Sequence, residues 1–303
     1  MGLLPSDIDI LPPCDDRVFK LILTAPEAKP ALMNLVPALI KRPVKDVRVR
    51  NNELPTSDTE EKAQRFDLNC VTDDGSQVDI EMQSSRIEEQ KGDHRNLIGK
   101  GIYYLCDLHS SQSSKGKSYD ELVRSYQITF CGYTVFPNRK DFINPFSMRH
   151  DMDSGLLSDA IHTVFVELSK LNDLLKKPVE QMTDLEMWAV FLRYAEFPDY
   201  RDIVNRIIKS KEALNVAGEL LISISQDERE RAIFRSRRMF QSDIESNIIT
   251  AKRKSRAEGR AEGEKAKTYA IAKTLLGVGD SVDKVVLVTE LTREEVEGLK
   301  EIP

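Results

Sequence analysis

The chain has 303 residues, of which 40% are apolar and 31% charged, with a net charge of −6. Such a length holds one catalytic-size core with helical additions, and such a composition belongs to a globular chain. The acidic balance excludes coating of nucleic acid by global charge but not a local basic cleft, and no apolar run approaches the roughly 20 residues of a membrane span.

Residues ahead of Pro12 and Pro13 are expected to form a loose arm without a signal-peptide pattern. A match of Met1-Gly-x-x-x-Ser6 to a myristoylation pattern is read as chance. Residues 15–23 predict a helix: Val18, Phe19, Leu21 and Ile22 are apolar, and Asp15 and Asp16 stand in the first turn, where the helix dipole favours acids. A second helix is predicted after Pro26, burying Leu32, Leu35, Val36 and Leu39, with Pro37 as a bend. Residues 45–49 predict a strand, and 51–64 are polar.

Two alternating arms follow, Phe66-Asp-Leu-Asn-Cys70 and Val78-Asp-Ile-Glu-Met-Gln83, joined through Asp73-Asp-Gly-Ser76. Alternation is the period of a half-buried strand, so Leu68, Cys70, Val78, Ile80 and Met82 share one face and Asp67, Asn69, Asp79, Glu81 and Gln83 the other. A three-residue loop with Gly75 in the left-handed position sets Asn69 opposite Asp79 and Asp67 opposite Glu81. Like charges facing each other across a ladder are destabilising. A divalent cation held by carboxylate oxygens is the simplest reason for such a face, and a solvated sheet surface is the plain alternative.

Farther along, 88–111 has helical spacing through Leu97, Tyr104, Leu105 and Leu108, and 113–118 predicts a loop. Residues 126–136 and 162–167 predict strands, and Leu185, Trp188, Phe191 and Leu192 mark another helix. From 201 to 267 the pattern is helical and charged, with 16 Lys plus Arg against 11 Asp plus Glu. Within it, Arg256-Ala-Glu-Gly-Arg-Ala-Glu-Gly-Glu264 reads as a frayed, solvated helix or linker. The tail predicts two short helices, 282–288 and 292–300, the second capped by Thr292 with Glu295. Its acidic residues favour docking or a homo-oligomer contact over DNA reading. Cys14, Cys70, Cys106 and Cys131 show no zinc spacing and are expected to be reduced and mostly buried, and the four histidines show no catalytic spacing.

A fork of Asp and Glu on adjacent strands can hold one or two Mg2+ ions through hard oxygen ligands, with the Met82 carbonyl as a further donor. Gln83 shares the face of Glu81 and can orient a water or a phosphate oxygen, but it brings no positive charge. These residues resemble the PD-(D/E)XK nuclease family transposases, relatives of recombination-promoting nucleases of bacterial mobile elements. The likeness rests on Asp16-x-x-Phe19-Lys20, Asp67, Glu81-Met-Gln83, Arg95 with Tyr104, Gly116-Lys-Ser-Tyr-Asp-Glu-Leu122, Glu167-Leu-Ser-Lys170, the Ala-Glu-Gly repeat and the tail.

The resemblance implies an α/β restriction-endonuclease-like mixed sheet flanked by helices, with a helical C-terminal extension. It implies metal-dependent cleavage of DNA by a bacterial cytoplasmic protein that uses Mg2+, with Mn2+ as a substitute. By position, Asp67 and Glu81 would be metal ligands, Gln83 would stand where Lys is usual, and Asp16 would be the acid of the first helix. Lys20, one turn after Asp16, is a candidate for the missing positive charge. Asp79 is held as supporting or structural. Arg95 and Lys100 are candidate phosphate contacts, weighed against an ordinary solvated helix face. Three regions are expected: a nuclease-like domain (1–200), a charged helical region and linker (201–267), and a small helical module (268–303). Gln83 keeps open a second reading, a catalytically inactive nuclease fold that binds DNA or protein.

Overall fold

In the computed structural model, residues 2–50, 68–84, 94–113, 116 and 118–299 are described. The chain divides into two compact units, Met1–Phe234 and Arg235–Pro303. The first unit is built on a six-stranded sheet in the order β1-β2-β3-β4-β6-β5. Its strands are β1 (Val47–Val49), β2 (Leu68–Thr72), β3 (Gln77–Gln83), β4 (Ser125–Cys131), β5 (Ile143–Ser147) and β6 (Ile161–Glu167). The central strands β3, β4 and β6 run parallel, and the outer pairings are antiparallel. A parallel neighbour needs a crossover, and α3 (Arg95–Ser110) lies between β3 and β4 in the chain.

The β2–β3 hairpin has the expected register: Asn69 faces Asp79 and Leu68 faces Ile80. Gly75 takes the left-handed conformation at φ 82°, which lets the turn close without a Cβ penalty. On one side of the sheet, Leu68, Cys70, Val78, Ile80, Met82, Ile128, Phe130, Val164 and Val166 join the main core. Helices α1 (Asp16–Thr24), α2 (Lys29–Ile40) and α4 (Asp184–Tyr194) contribute Phe19, Leu35 and Trp188 to the same core. Asp15 caps α1, its carboxylate accepting from the backbone of Arg17 and Val18 at 3.0 and 3.2 Å. The buried stripe of α1 is Val18, Phe19, Ile22 and Leu23, so the apolar face runs through Leu23 rather than Leu21.

The expectation of a loose N-terminal arm is corrected. Leu4, Ile10 and Leu11 are buried, and the Leu4 backbone exchanges two hydrogen bonds with the Asn205 side chain at 2.8 and 3.1 Å. The Gly2 nitrogen donates to Asn215 Oδ1 at 2.8 Å, and the Leu11 nitrogen to Ser225 Oγ at 3.0 Å. A Cβ on Gly218 would fall 2.3 Å from the Gly2 carbonyl oxygen, so only glycine permits this approach. Helices α5 (Arg201–Ser210) and α6 (Glu212–Gln226) that receive the arm bury Val204, Ile207, Leu214 and Leu221 in the main core. The first unit therefore extends past residue 200, where composition suggests a boundary.

Two further differences have local causes. The strand expected over 126–136 stops at Cys131, because the Val135 and Phe136 N–H groups donate to the buried Glu167 carboxylate at 2.7 and 3.1 Å instead of to a ladder. Strand β5 was not expected, since Pro145 weakens its pattern; an edge position tolerates that proline. The Ala-Glu-Gly repeat lies inside α7 (Glu228–Gly277), a continuous helix rather than a linker. Its polar face carries i,i+4 ion pairs such as Arg260–Glu264 at 3.2 Å. In the second unit, Val285 of α8 (Val282–Thr289), Val296 of α9 (Arg293–Gly298) and Leu291 between the two helices cluster with Ala272, and the Thr292–Glu295 capping box is formed.

Candidate active site

The sheet face opposite the main core is polar along its central strands. Strand alternation sends Asp79 and Glu81 to this face, and parallel pairing sets Gln127 beside Asp79 and Thr129 beside Glu81. Both carboxylates are buried, Asp79 at 0% and Glu81 at 2% exposure. The solvated-surface alternative is thereby overturned, as is half-burial of β3, because α3 covers the face. Leu97 of α3 packs with Cys131, Tyr133, Val135 and Phe165 in a second apolar cluster. Closer to the acids, a Cβ on Gly101 would stand 3.0 Å from Gln127 Oε1, so glycine sets how near the helix lies. Gln127 is fixed in turn, donating to Thr129 Oγ1 at 2.8 Å and accepting from Thr163 Oγ1 at 2.9 Å.

Glu81 is the focus of this face. The Lys100 ammonium, one residue before Gly101, forms an ion pair with Glu81 Oε2. The Gln83 amide nitrogen approaches the same oxygen at 3.5 Å. Lys100 also lies 5.0 Å from the centroid of the Tyr104 ring, one helical turn on. The lysine is 36% exposed at the side chain and the carboxylate 3%, so a buried anion is reached from the surface by a long, flexible cation. From sequence, Lys100 is a candidate phosphate contact or a residue of a solvated helix face. Helical spacing does not reveal that α3 lies across the acids, so only the packing singles it out.

The other expected residues are placed as follows. Asp67 lies outside the described residues, one position before β2. Asp16 is the first residue of α1, and Lys20 lies one turn later. Helix α1 packs on the apolar side of the sheet, with the Phe19 and Phe130 rings 5.7 Å apart. Arg95 opens α3 and is exposed. Among the described residues, the lysine brought to Glu81 is Lys100.

Among the described residues no group of three His, Cys, Asp or Glu side chains is placed to share a metal ion. The acids of this face, Asp79 and Glu81, carry hard oxygens, the donor type that suits Mg2+ or Mn2+ and not a soft metal. Burial, and then the charge of Asp79, pushes the Cys70 thiol up to about 12, which keeps it protonated and unfit as a ligand. Cys14 and Cys131 are likewise buried, whereas Cys106 is exposed. The histidines serve elsewhere; His162, for example, stacks on Tyr126 and contacts Asp159 at 2.9 Å.

The model of the PD-(D/E)XK nuclease family transposases matches residues 13–251. The chain belongs to that family. No curated protein and no solved structure gives a significant match. The mixed sheet, the flanking helices and the acidic strand β3 agree with the family's nuclease fold. Its members' nuclease and transposition association thus attaches to a chain whose Glu81-Met-Gln83 departs from the family name at the lysine.

Proposed function

We propose that this chain is a metal-dependent endonuclease that hydrolyses DNA phosphodiester bonds during transposition or recombination, in the bacterial cytoplasm. The observation carrying this reading is the buried Glu81 carboxylate on β3, beside Asp79 and under a helix that delivers a cation to it. Burying acids on one face is costly without compensating charge, and a site for a divalent ion is a functional reason to keep them.

Asp67 and Glu81, with the Met82 carbonyl, would hold Mg2+, or Mn2+ in its place, and Asp79 would support them. When bound, the ion polarises a phosphoryl oxygen and makes water a nucleophile near neutral pH. Gln83 orients that water, while Asp16 stands on α1, which packs on the apolar side of the sheet. Water oxygen bonds to phosphorus, the P–O3′ bond breaks, and the proton lost from water ends on the departing 3′ oxygen. Basic residues within 201–267 favour the DNA backbone, so binding weakens as salt rises. The tail helices offer an oligomer contact.

Gln83 favours a second reading, a nuclease fold that binds DNA or protein without cutting it, because its amide carries no charge. Supercoiled plasmid with Mg2+ or Mn2+ separates the two. Nicking by the wild type, lost in Asp67→Ala and in Glu81→Ala with folding intact, supports the enzyme. Absence of nicking with either metal, together with DNA binding unchanged by EDTA, overturns it.

A further inference from the structure

Four large apolar side chains stand exposed in the segment 148–157 that follows β5. Met152 is 88% exposed and Leu157 71%, with Met148 and Leu156 beside them. The segment is a fixed hairpin. Arg149 and Leu156 form a bridge, and the His150 and Leu157 nitrogens donate to the Gly155 and Met148 carbonyls at 2.7 and 3.0 Å. At the tip, Asp153 Oδ1 accepts from the Gly155 nitrogen at 2.8 Å. Single apolar residues on a surface are ordinary, but a group of them on a rigid element marks a contact.

The base of the same hairpin holds a cavity of about 330 Å3, walled by Pro145, Phe146 and Leu156 with Arg149 and His162 as polar members. Its charge differs from that of the tip. Asp151 and Asp153 flank Met152 and are exposed. At the base, Asp159 is already met by Arg124 at 2.6 Å and Arg42 at 3.3 Å, whereas Arg149 donates to a neutral carbonyl, that of Ser154, at 2.9 Å. One hairpin thus carries a flexible apolar knob between acids and an apolar hole edged by a cation. A hairpin cannot fold its tip into its own base, but two laid antiparallel about a two-fold axis put each tip at the other's base. We propose that this hairpin docks on a second copy of the chain, Met152 of each copy entering the cavity of the other with Asp151 beside Arg149. Pro145, in the middle of edge strand β5, removes an N–H from the open edge, so the copies meet through side chains and not by extending the sheet. A contact confined to one hairpin buries less than the roughly 800 Å2 per partner of a stable complex, so this dimer is weak and reversible.

Sedimentation velocity on the full chain tests it, and a monomer–dimer equilibrium with a Kd of roughly 10–100 µM is expected. Each substitution acts twice in a symmetric contact, so Met152→Ala should raise that Kd by about 100-fold. Its melting temperature should not change, since the side chain is exposed in the single chain. Asp151→Arg and Arg149→Glu should each weaken the dimer by about 10-fold, and the double variant should regain most of the loss. Cross-linking locates the contact. In a Cys106→Ser background, a Met152→Cys chain mixed with a Ser147→Cys chain should form a disulfide-linked heterodimer under mild oxidation, because Ser147 lines the cavity.

Wild-type protein that stays monomeric up to about 500 µM overturns the proposal. If Met152→Ala then lowers affinity for DNA, a nucleic acid occupies the hairpin instead. A dimer whose Kd changes less than about threefold in Met152→Ala, or that gives no cross-linked heterodimer, is held elsewhere, as by the tail helices, and overturns the proposal too. Plasmid nicking is decided separately from each of these outcomes.

Discussion

Glu167 shows how much one buried side chain can organise. Its carboxylate, 0% exposed, accepts from the Val135 and Phe136 nitrogens, from Asn144 Nδ2 at 2.8 Å and from Lys170 Nζ at 2.7 Å. Lys170 also donates to the Phe136 and Arg139 carbonyls at 2.9 and 2.8 Å, so the two residues tie the segment after β4 to the end of β6. Removing the acid leaves a nearly buried ammonium and two backbone N–H groups without their acceptor. Glu167→Ala is therefore expected to cost about 3 kcal/mol or more, read as a fall in the urea midpoint at constant m-value. Glu167→Gln keeps an acceptor and should cost less. Equal costs for the two would mean that charge, and not the bonding pattern, holds this corner.

At the scale of elements, helix α3 decides whether the polar sheet face is a surface or a site. Gly99 and Gly101 lie two residues apart on it with opposite surroundings. A Cβ at Gly99 meets nothing within 4 Å, whereas at Gly101 it meets Gln127 at 3.0 Å and Phe165 at 3.7 Å. Gly99→Ala should stabilise by up to about 1 kcal/mol through helix propensity. Gly101→Val should destabilise by about 1–3 kcal/mol, because the buried Gln127 is held by two hydroxyls and has little room to yield. Under the proposed nuclease function, Gly101→Val is also expected to lose plasmid nicking while Gly99→Ala keeps it. Thermal melts of the two variants beside wild type check the stability signs.

Across the whole molecule, burial is unequally shared between the units. The first has a core running from Leu4 to Leu221, while the second gathers Ala272, Val285, Leu291 and Val296 as its buried cluster. Most of α7 between 235 and 268 is exposed, including Met239 at 70% and Phe240 at 67%. Long helices without a packed face gain little beyond propensity, so their hydrogen bonds open readily. Amides over 241–265 should exchange with deuterium far faster than those of β3, β4 and β6. Slow exchange throughout 241–265 in dilute protein would instead require a covering partner, and dependence on protein concentration would identify it as a second copy.

Several features were legible in the chain because they are local. Alternation over 78–83 gave β3 and its two faces, the Asp-Gly turn gave the hairpin register, and Thr292 with Glu295 gave the last helix start. These depend on neighbours a few residues apart, which sequence order preserves. The acidic face and the family likeness were legible too, since both are patterns of residue type. Tertiary structure alone decided that this face is buried, that Lys100 stands at Glu81, and that the arm 2–11 is docked. Those contacts join residues far apart in the chain, 19 positions for Lys100 and Glu81 and 201 for Leu4 and Asn205, and no local period encodes them. They arise when helices with their own apolar faces are packed against a sheet, where burial fixes which polar groups must meet.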